Sequence, residues 1–137
     1  MTTLVDSDVL LDRVIDDPAW SGWSSAALER VLDEGEEILN PFVYAEVSVG
    51  FDRIEDFDEV LPATVFRRVP LPYPAGFLAG KAFLQYRRRG GTRSSPLPDF
   101  YIGAHAAAAG YRLLTRDSRR YRTYFPSVAL LSPTDWS

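Results

Sequence analysis

Short apolar runs alternate with helix-length amphipathic segments along the whole chain, and this alternation limits the folds open to it. Thr3-Leu4-Val5, Glu37-Ile38-Leu39, Arg68-Val69-Pro70-Leu71, Tyr111–Thr115 and Val128-Ala129-Leu130-Leu131 read as strands. Between them, Asp8–Val14, Ser24–Leu32, Phe42–Phe51, Asp56–Phe66, Pro74–Arg89 and Asp99–Ala109 carry helical spacing, and Ser118–Tyr124 is a short helix. Asp16-Asp17-Pro18, Gly35, Gly90-Gly91, Gly110 and Pro133 mark the ends. Pro70 suggests a strand end or an edge for the third strand, and Phe77, Leu78, Ala82 and Leu84 are the residues the long helix should bury. Strands that alternate with helices predict an α/β fold with a mainly parallel sheet. The 137 residues suit one domain, 1–137, with a single core.

In such sheets the working groups gather beyond the carboxyl ends of the strands. Asp6 follows Leu4-Val5 directly, and Asp117 follows Leu113-Leu114-Thr115-Arg116, so both belong to the same edge. A carboxylate at the end of a buried strand is costly unless it is paired or bound to a metal. Asp99 opens an Ala-rich helix, where an acid is favoured by the helix dipole, and capping alone would explain it. Glu46 stands between Ala45 and Val47 on a largely apolar helix. Asp8 and Asp12 read as residues that cap or decorate the first helix.

The chain has no cysteine and one histidine, His105, which excludes disulfides, cysteine-ligated zinc and histidine clusters. His105 reads as a satisfied surface or interface group. Any metal must be held by oxygen, which points to Mg2+ or Mn2+. The net charge is −4, with acids dominating Asp6–Asp58 and bases concentrated in Arg87–Arg93 and Arg112–Arg122. Lys81 is the only lysine among 15 basic residues, so the cationic surface is guanidinium, which suits phosphate. Nothing near Met1 reads as a signal peptide and no apolar run is long enough to span a bilayer, so a cytoplasmic location is expected.

Acid after the first strand, Glu on a middle helix, Asp opening an Ala-rich helix, then Thr-Arg-Asp after the next strand: in this order the chain resembles the PIN-domain family. The matching stretches are Leu4–Asp12, Pro41–Gly50, Leu97–Gly110 and Tyr111–Asp117. Within that family it looks most similar to the VapC-like toxins of bacterial toxin–antitoxin pairs. The resemblance implies a three-layer α/β/α sandwich around a parallel, usually five-stranded sheet. It implies that Asp6, Glu46, Asp99 and Asp117 hold one or two Mg2+ or Mn2+ ions and support endoribonuclease activity. Ser7 and Thr115 match polar positions that support the site. Cleavage would leave a 5′ phosphate and a 3′ hydroxyl. The partners implied are RNA, a cognate antitoxin protein whose tail wraps the toxin, and a second copy in a homodimer.

Crowded carboxylates repel and raise one another's pKa, and a divalent ion relieves that repulsion while activating water. Arg87, Arg88, Arg89 and Arg93 form the first expected phosphate clamp, and Arg119, Arg120 and Arg122 a second. Arg116 either touches phosphate or pairs with a neighbouring acid. Tyr86, Tyr121 and Tyr124 offer stacking surfaces for bases or fill the core. Trp20, Trp23, Phe51 and Phe57 read as a groove for a partner peptide or as ordinary core. Two other functions fit parts of the pattern. Asp6-Ser7-Asp8-Val9 matches the opening of haloacid-dehalogenase-like phosphatases, although Lys81 is the only lysine and no Asp-Asp pair follows Asp17. The other is a non-catalytic PIN-like module that binds RNA or protein without cutting it.

Overall fold

The computed structural model describes residues 1–135. Five strands form one sheet, β1 (Thr2–Val5), β2 (Glu36–Leu39), β3 (Phe66–Arg68), β4 (Arg112–Leu114) and β5 (Leu130–Leu131), in the order β3-β2-β1-β4-β5 with every pairing parallel. The described helices are α1 (Ser7–Val14), α2 (Ser21–Glu34), α3 (Pro41–Ser48), α4 (Ile54–Val60), α5 (Tyr73–Arg88), α6 (Pro98–Ala109) and α7 (Arg119–Tyr124). Right-handed crossovers place α1, α2 and α4 on one side of this order and α5, α6 and α7 on the other. The result is the expected three-layer α/β/α sandwich. Its centre is apolar because the inner strands are covered on both faces: Leu4, Val5, Ile38, Leu39, Leu113 and Leu114 are all buried.

Three expectations need correcting. The third strand is Phe66–Arg68, earlier than Arg68–Leu71, because α4 stops at Val60 and Pro62 releases the chain into the sheet sooner. Pro70, with no N–H to donate, is left outside. On α5 the buried stripe is Ala75, Ala79 and Ala82, while Phe77, Leu78 and Leu84 are exposed. Small side chains let α5 lie close against the Ala-rich α6, so the bulky ones turn outward. His105 is buried in α6 and accepts a hydrogen bond at Nδ1 from Asn40 Nδ2 (3.2 Å). It is therefore a core group, and burial lowers its pKa and keeps it neutral.

Strand order reverses between β1 and its neighbours, since the chain leaves β1 for β2 on one side and returns to β4 on the other. A crevice opens beyond the carboxyl ends of the strands at such a reversal. Val5 pairs with Leu114, and the next backbone N–H, that of Asp6, donates to the Leu114 carbonyl (2.8 Å). The register thus sets Asp6 beside Thr115 at the mouth of the crevice.

Candidate active site

Asp6 leaves β1 in extended conformation and caps α1, accepting from the Ser7 N–H (2.8 Å). Its Oδ2 accepts from Thr115 Oγ1 (2.8 Å) and from the Tyr121 hydroxyl (2.9 Å). Those donors lower its pKa, yet burial and the neighbouring Asp8 and Asp99 carboxylates prevail and hold it well above the usual range. A carboxylate that needs protons despite several donors is one for which a cation would substitute.

Two ties across α3 and α6 bring the other acids close. Asn40 ends β2, caps α3 by accepting from Val43 N–H (2.9 Å) and bonds to His105 on α6. Phe42 on α3 stacks on Tyr101 of α6 with ring centroids 4.2 Å apart. Glu46, at the inner end of α3, accepts from Ser7 Oγ (2.9 Å) and its pKa is raised by burial and by Asp99 and Asp8. Asp99 lies in the first turn of α6. Its pKa is raised by burial despite Arg120, whose Nη1 stands 3.5 Å from Oδ2. Asp117 is exposed and paired with Arg119 at 3.3 Å, which lowers its pKa.

Asp6, Ser7, Asp8, Asp99 and Asp117 line a cleft of about 530 Å3 together with Tyr86, Arg119, Arg120, Tyr121 and Tyr124. In the sequence Asp8 reads as a residue that caps or decorates the first helix, whereas here its carboxylate accepts from the backbone N–H groups of Arg116 (3.1 Å) and Asp117 (3.2 Å). It pins the loop after β4 onto the start of α1 and adds a further acid, with its own pKa raised by burial. The Asp6-Ser7-Asp8 spacing at a strand end was the available signal. Tyr121 was legible only as an aromatic, because a hydroxyl aimed at Asp6 across 115 positions leaves no local pattern.

The cationic residues divide differently from expectation. Arg119 and Arg120 line the cleft, and Arg120 lies over the rings of Tyr86 and Phe100. Arg89 lies over the ring of Tyr124 and does not itself line the cleft. Arg87 donates to the Arg93 carbonyl (2.6 Å), and neither these two nor Arg88 lines the cleft. The Arg116 guanidinium takes the pairing alternative, with Nε 2.9 Å from Asp12 and the cation over Trp20. Phe57 is core, packed against Tyr44 and Phe51, so the four first-half aromatics do not make one groove.

The donor set suits a hard divalent ion: all oxygen, several carboxyls raised by burial and then by their acidic neighbours, and an open cleft with room for water. Among the described residues, no three acidic or histidine side chains stand close enough to grip one ion as they lie. A cation bound by one or two carboxylates and completed by water is the arrangement Mg2+ prefers.

A parallel sheet whose order reverses above converging acids is the organisation of a PIN domain, and the PIN-domain family model matches residues 3–126 of this chain. The chain belongs to the PIN-domain family, which is generally one of nucleases. No curated protein matches it. Among solved structures, a chain of VapBC2 from Rickettsia felis, crystallised on a DNA fragment from its promoter, shares the fold with a TM-score of 0.73 at 15% identity, covering 96% of this chain and 98% of that one. FitAcB from Neisseria gonorrhoeae gives 0.72 at 19% identity over 96% and 98%. A toxin–antitoxin complex from Klebsiella pneumoniae gives 0.70 at 19% identity over 96% and 97%. Among the described residues no helix is long and apolar enough to cross a membrane.

Proposed function

We propose that this single PIN domain is a Mg2+- or Mn2+-dependent endoribonuclease, the toxin of a cytoplasmic toxin–antitoxin pair. The observation that carries the reading is the convergence of Asp6, Asp99 and Glu46, each with a carboxyl pKa raised by burial and by its acidic neighbours. The ion would sit among Asp6, Asp99, Asp117 and Glu46, bound directly by one or two of these carboxylates and through water to the others. When bound, the ion neutralises the carboxylates, polarises the scissile phosphate and activates water.

The chain's own groups do the positioning. Thr115 Oγ1 and the Tyr121 hydroxyl fix Oδ2 of Asp6, and Ser7 fixes Glu46. Tyr121 is held protonated by burial beside Asp6 and Asp99, so it remains a donor. Arg119 and Arg120 present guanidinium groups at the rim for RNA phosphates, and Tyr86 and Tyr124 offer ring faces to unpaired bases. The structural relatives solved as toxin–antitoxin complexes support an antitoxin partner for this chain.

The test is cleavage of total RNA by partner-free protein with Mg2+ or Mn2+, beside Asp6→Asn and Asp99→Asn. Cleavage that needs the metal and leaves 5′ phosphate ends is expected from the parent alone. Equal cleavage by the variants would remove these residues from the site, and acid-independent RNA binding without cleavage would favour a non-catalytic module.

A further inference from the structure

A second buried carboxylate lies away from the cleft. Glu37 is the second residue of β2, in register with Thr3 of β1 and Phe66 of β3. Its side chain therefore shares their face of the sheet. It is 2% exposed, and its Oε1 is buried with no hydrogen-bond partner. Burial raises its pKa to about 7, against a smaller opposing effect of Arg13. An orphaned buried carboxyl oxygen costs stability and is found where something else satisfies it.

Glu37 lines a pocket of about 400 Å3 between α2, α4 and the approach to β3. Leu28, Leu32, Val60 and Phe66 give it apolar character, and Leu32 and Val60 are about half exposed, at 47% and 50%. Glu29 and Glu59 add two exposed acids. Arg13 lines the same pocket but makes neither a hydrogen bond nor an ion pair with Glu37 among the described residues. An acidic rim, an apolar wall and an unpaired carboxylate within complement an apolar stem that ends in a cation.

We propose that the Glu37 pocket is a docking site for an arginine or lysine side chain carried on an amphipathic segment of the partner protein. This deepens the toxin–antitoxin reading and rests on it for the identity of the partner. Apolar stem atoms lie against Leu28, Leu32 and Val60, and the cationic head reaches Glu37. The lone acid then holds the neutraliser away from the cleft and adds charge selectivity to an otherwise apolar contact.

The site is tested on the full chain with n-butylguanidinium as probe and uncharged n-butylurea as its control, followed by backbone amide NMR. Saturable shifts at residues 28–32, 37 and 60–66 are expected with the cation, weakened at least ~10-fold by the urea or by Glu37→Gln. Signals around Asp6 and Asp99 report separately on cation binding in the cleft. Shifts that are absent, or that survive Glu37→Gln, overturn the proposal. Arg13→Ala guards against an internal partner: shifts of the same size with tighter binding are expected, whereas loss of the pocket's structure would make Arg13 the occupant and overturn it.

The second arm measures affinity for the protein encoded beside this one. Glu37→Leu should weaken the complex at least ~10-fold while RNA cleavage by the free chain is unchanged. If the parent binds and the variant binds equally, the docking proposal fails and the antitoxin reading stands. If the parent does not bind, the antitoxin reading fails and with it the partner assigned to the pocket, while the titration still decides the cation site.

Discussion

Asp6, just past the end of β1, and Glu37, on β2, are both buried carboxylates, and both bind protons more tightly than an ordinary acid, yet for different reasons. Asp6 has the Ser7 N–H, Thr115 and Tyr121 as donors and is raised by burial together with Asp8 and Asp99. Glu37 has no donor on its Oε1 and is raised by burial alone. The first is a carboxylate held in place by its surroundings, short of countercharge because other acids stand near it. The second has no donor on its Oε1, and no neighbouring acid adds to the effect of burial. A prearranged acid among acids suits a small hard cation whose geometry must be controlled. A buried acid in an apolar pocket, with Glu29 and Glu59 at the rim, suits an organic cation that brings its own hydrophobic stem.

The sharpest way to break this contrast is to neutralise each acid and read RNA cleavage. Asp6→Asn should lower the metal-dependent rate at least ~100-fold, since even groups that only support metal ligands contribute 10–100-fold. Glu37→Gln should leave that rate unchanged. Equal losses would mean that the two carboxylates serve one site.

Next in size is the donor set that distinguishes Asp6. Tyr121→Phe removes the hydroxyl from Oδ2 and keeps the ring that packs near Gly103 and Phe125. We expect Mn2+ affinity by calorimetry to fall about 10-fold, with a stability loss of about 1–3 kcal/mol from the unmet hydrogen bond. Thr115→Val should act in the same direction. Unchanged Mn2+ binding in both would show that Asp6 needs no orientation to bind metal.

The topology and the acids that end strands were legible from the sequence, because apolar runs and the residues after them are local signals. Asp6 and Asp117 were visible in that way, and Glu46, Asp99 and Thr115 only through the ordered resemblance to the PIN-domain family. What escaped depends on contacts between distant positions. Asp8 reads as a helix residue until the loop after β4 folds onto it, and Tyr121 reads as core until β1 and α7 meet. Arg87 and Arg88 look like a clamp in the sequence, but helical rotation and the end of α5 take them off the cleft, while Arg119 and Arg120 at the start of α7 are delivered to it. Glu37 reads as an ordinary strand residue, since two adjacent glutamates on one strand do not reveal which one faces inward. The Phe66–Arg68 strand was misplaced for a similar reason, because apolar runs beside prolines fix a strand only to within a few residues.

The pH dependence of stability separates the two acids again. A carboxyl whose folded pKa lies above its unfolded value keeps its proton in the native state when the unfolded chain has released it, so stability falls as pH rises between the two values. For Glu37 that window runs from the ordinary glutamate value of 4.5 to about 7. Asp6, Asp99 and Glu46 act in the same direction. The metal-free parent should therefore lose stability in urea titrations from pH 5 to pH 8, taken at these two round values. Mg2+ at 100 times its Kd should return about 2.7 kcal/mol through the cleft acids, and Glu37→Gln should flatten the slope by about 1–3 kcal/mol whether or not Mg2+ is present. A slope that Mg2+ abolishes entirely would mean that Glu37 is already neutralised within the chain.

The smallest effect falls on the neighbouring glutamate and isolates burial as the cause. Glu36 and Glu37 are consecutive on β2, so their side chains leave opposite faces of the strand. Glu36 forms a two-pronged pair with Arg67 on β3, with Nε at 2.7 Å and Nη2 at 2.8 Å, and the pair lowers its pKa. Its stabilising contribution is present above the ordinary carboxylate pKa and disappears as pH falls through the lowered folded value, the reverse of Glu37. Because the pair is exposed on both sides, solvent screening leaves little of it. Glu36→Gln should shift the melting temperature by less than about 2 °C at pH 8, whereas Glu37→Gln should raise it measurably at the same pH. If the two variants move the melting temperature equally and in the same direction, net charge on β2 is the common cause, and the inward face of Glu37 has no special role.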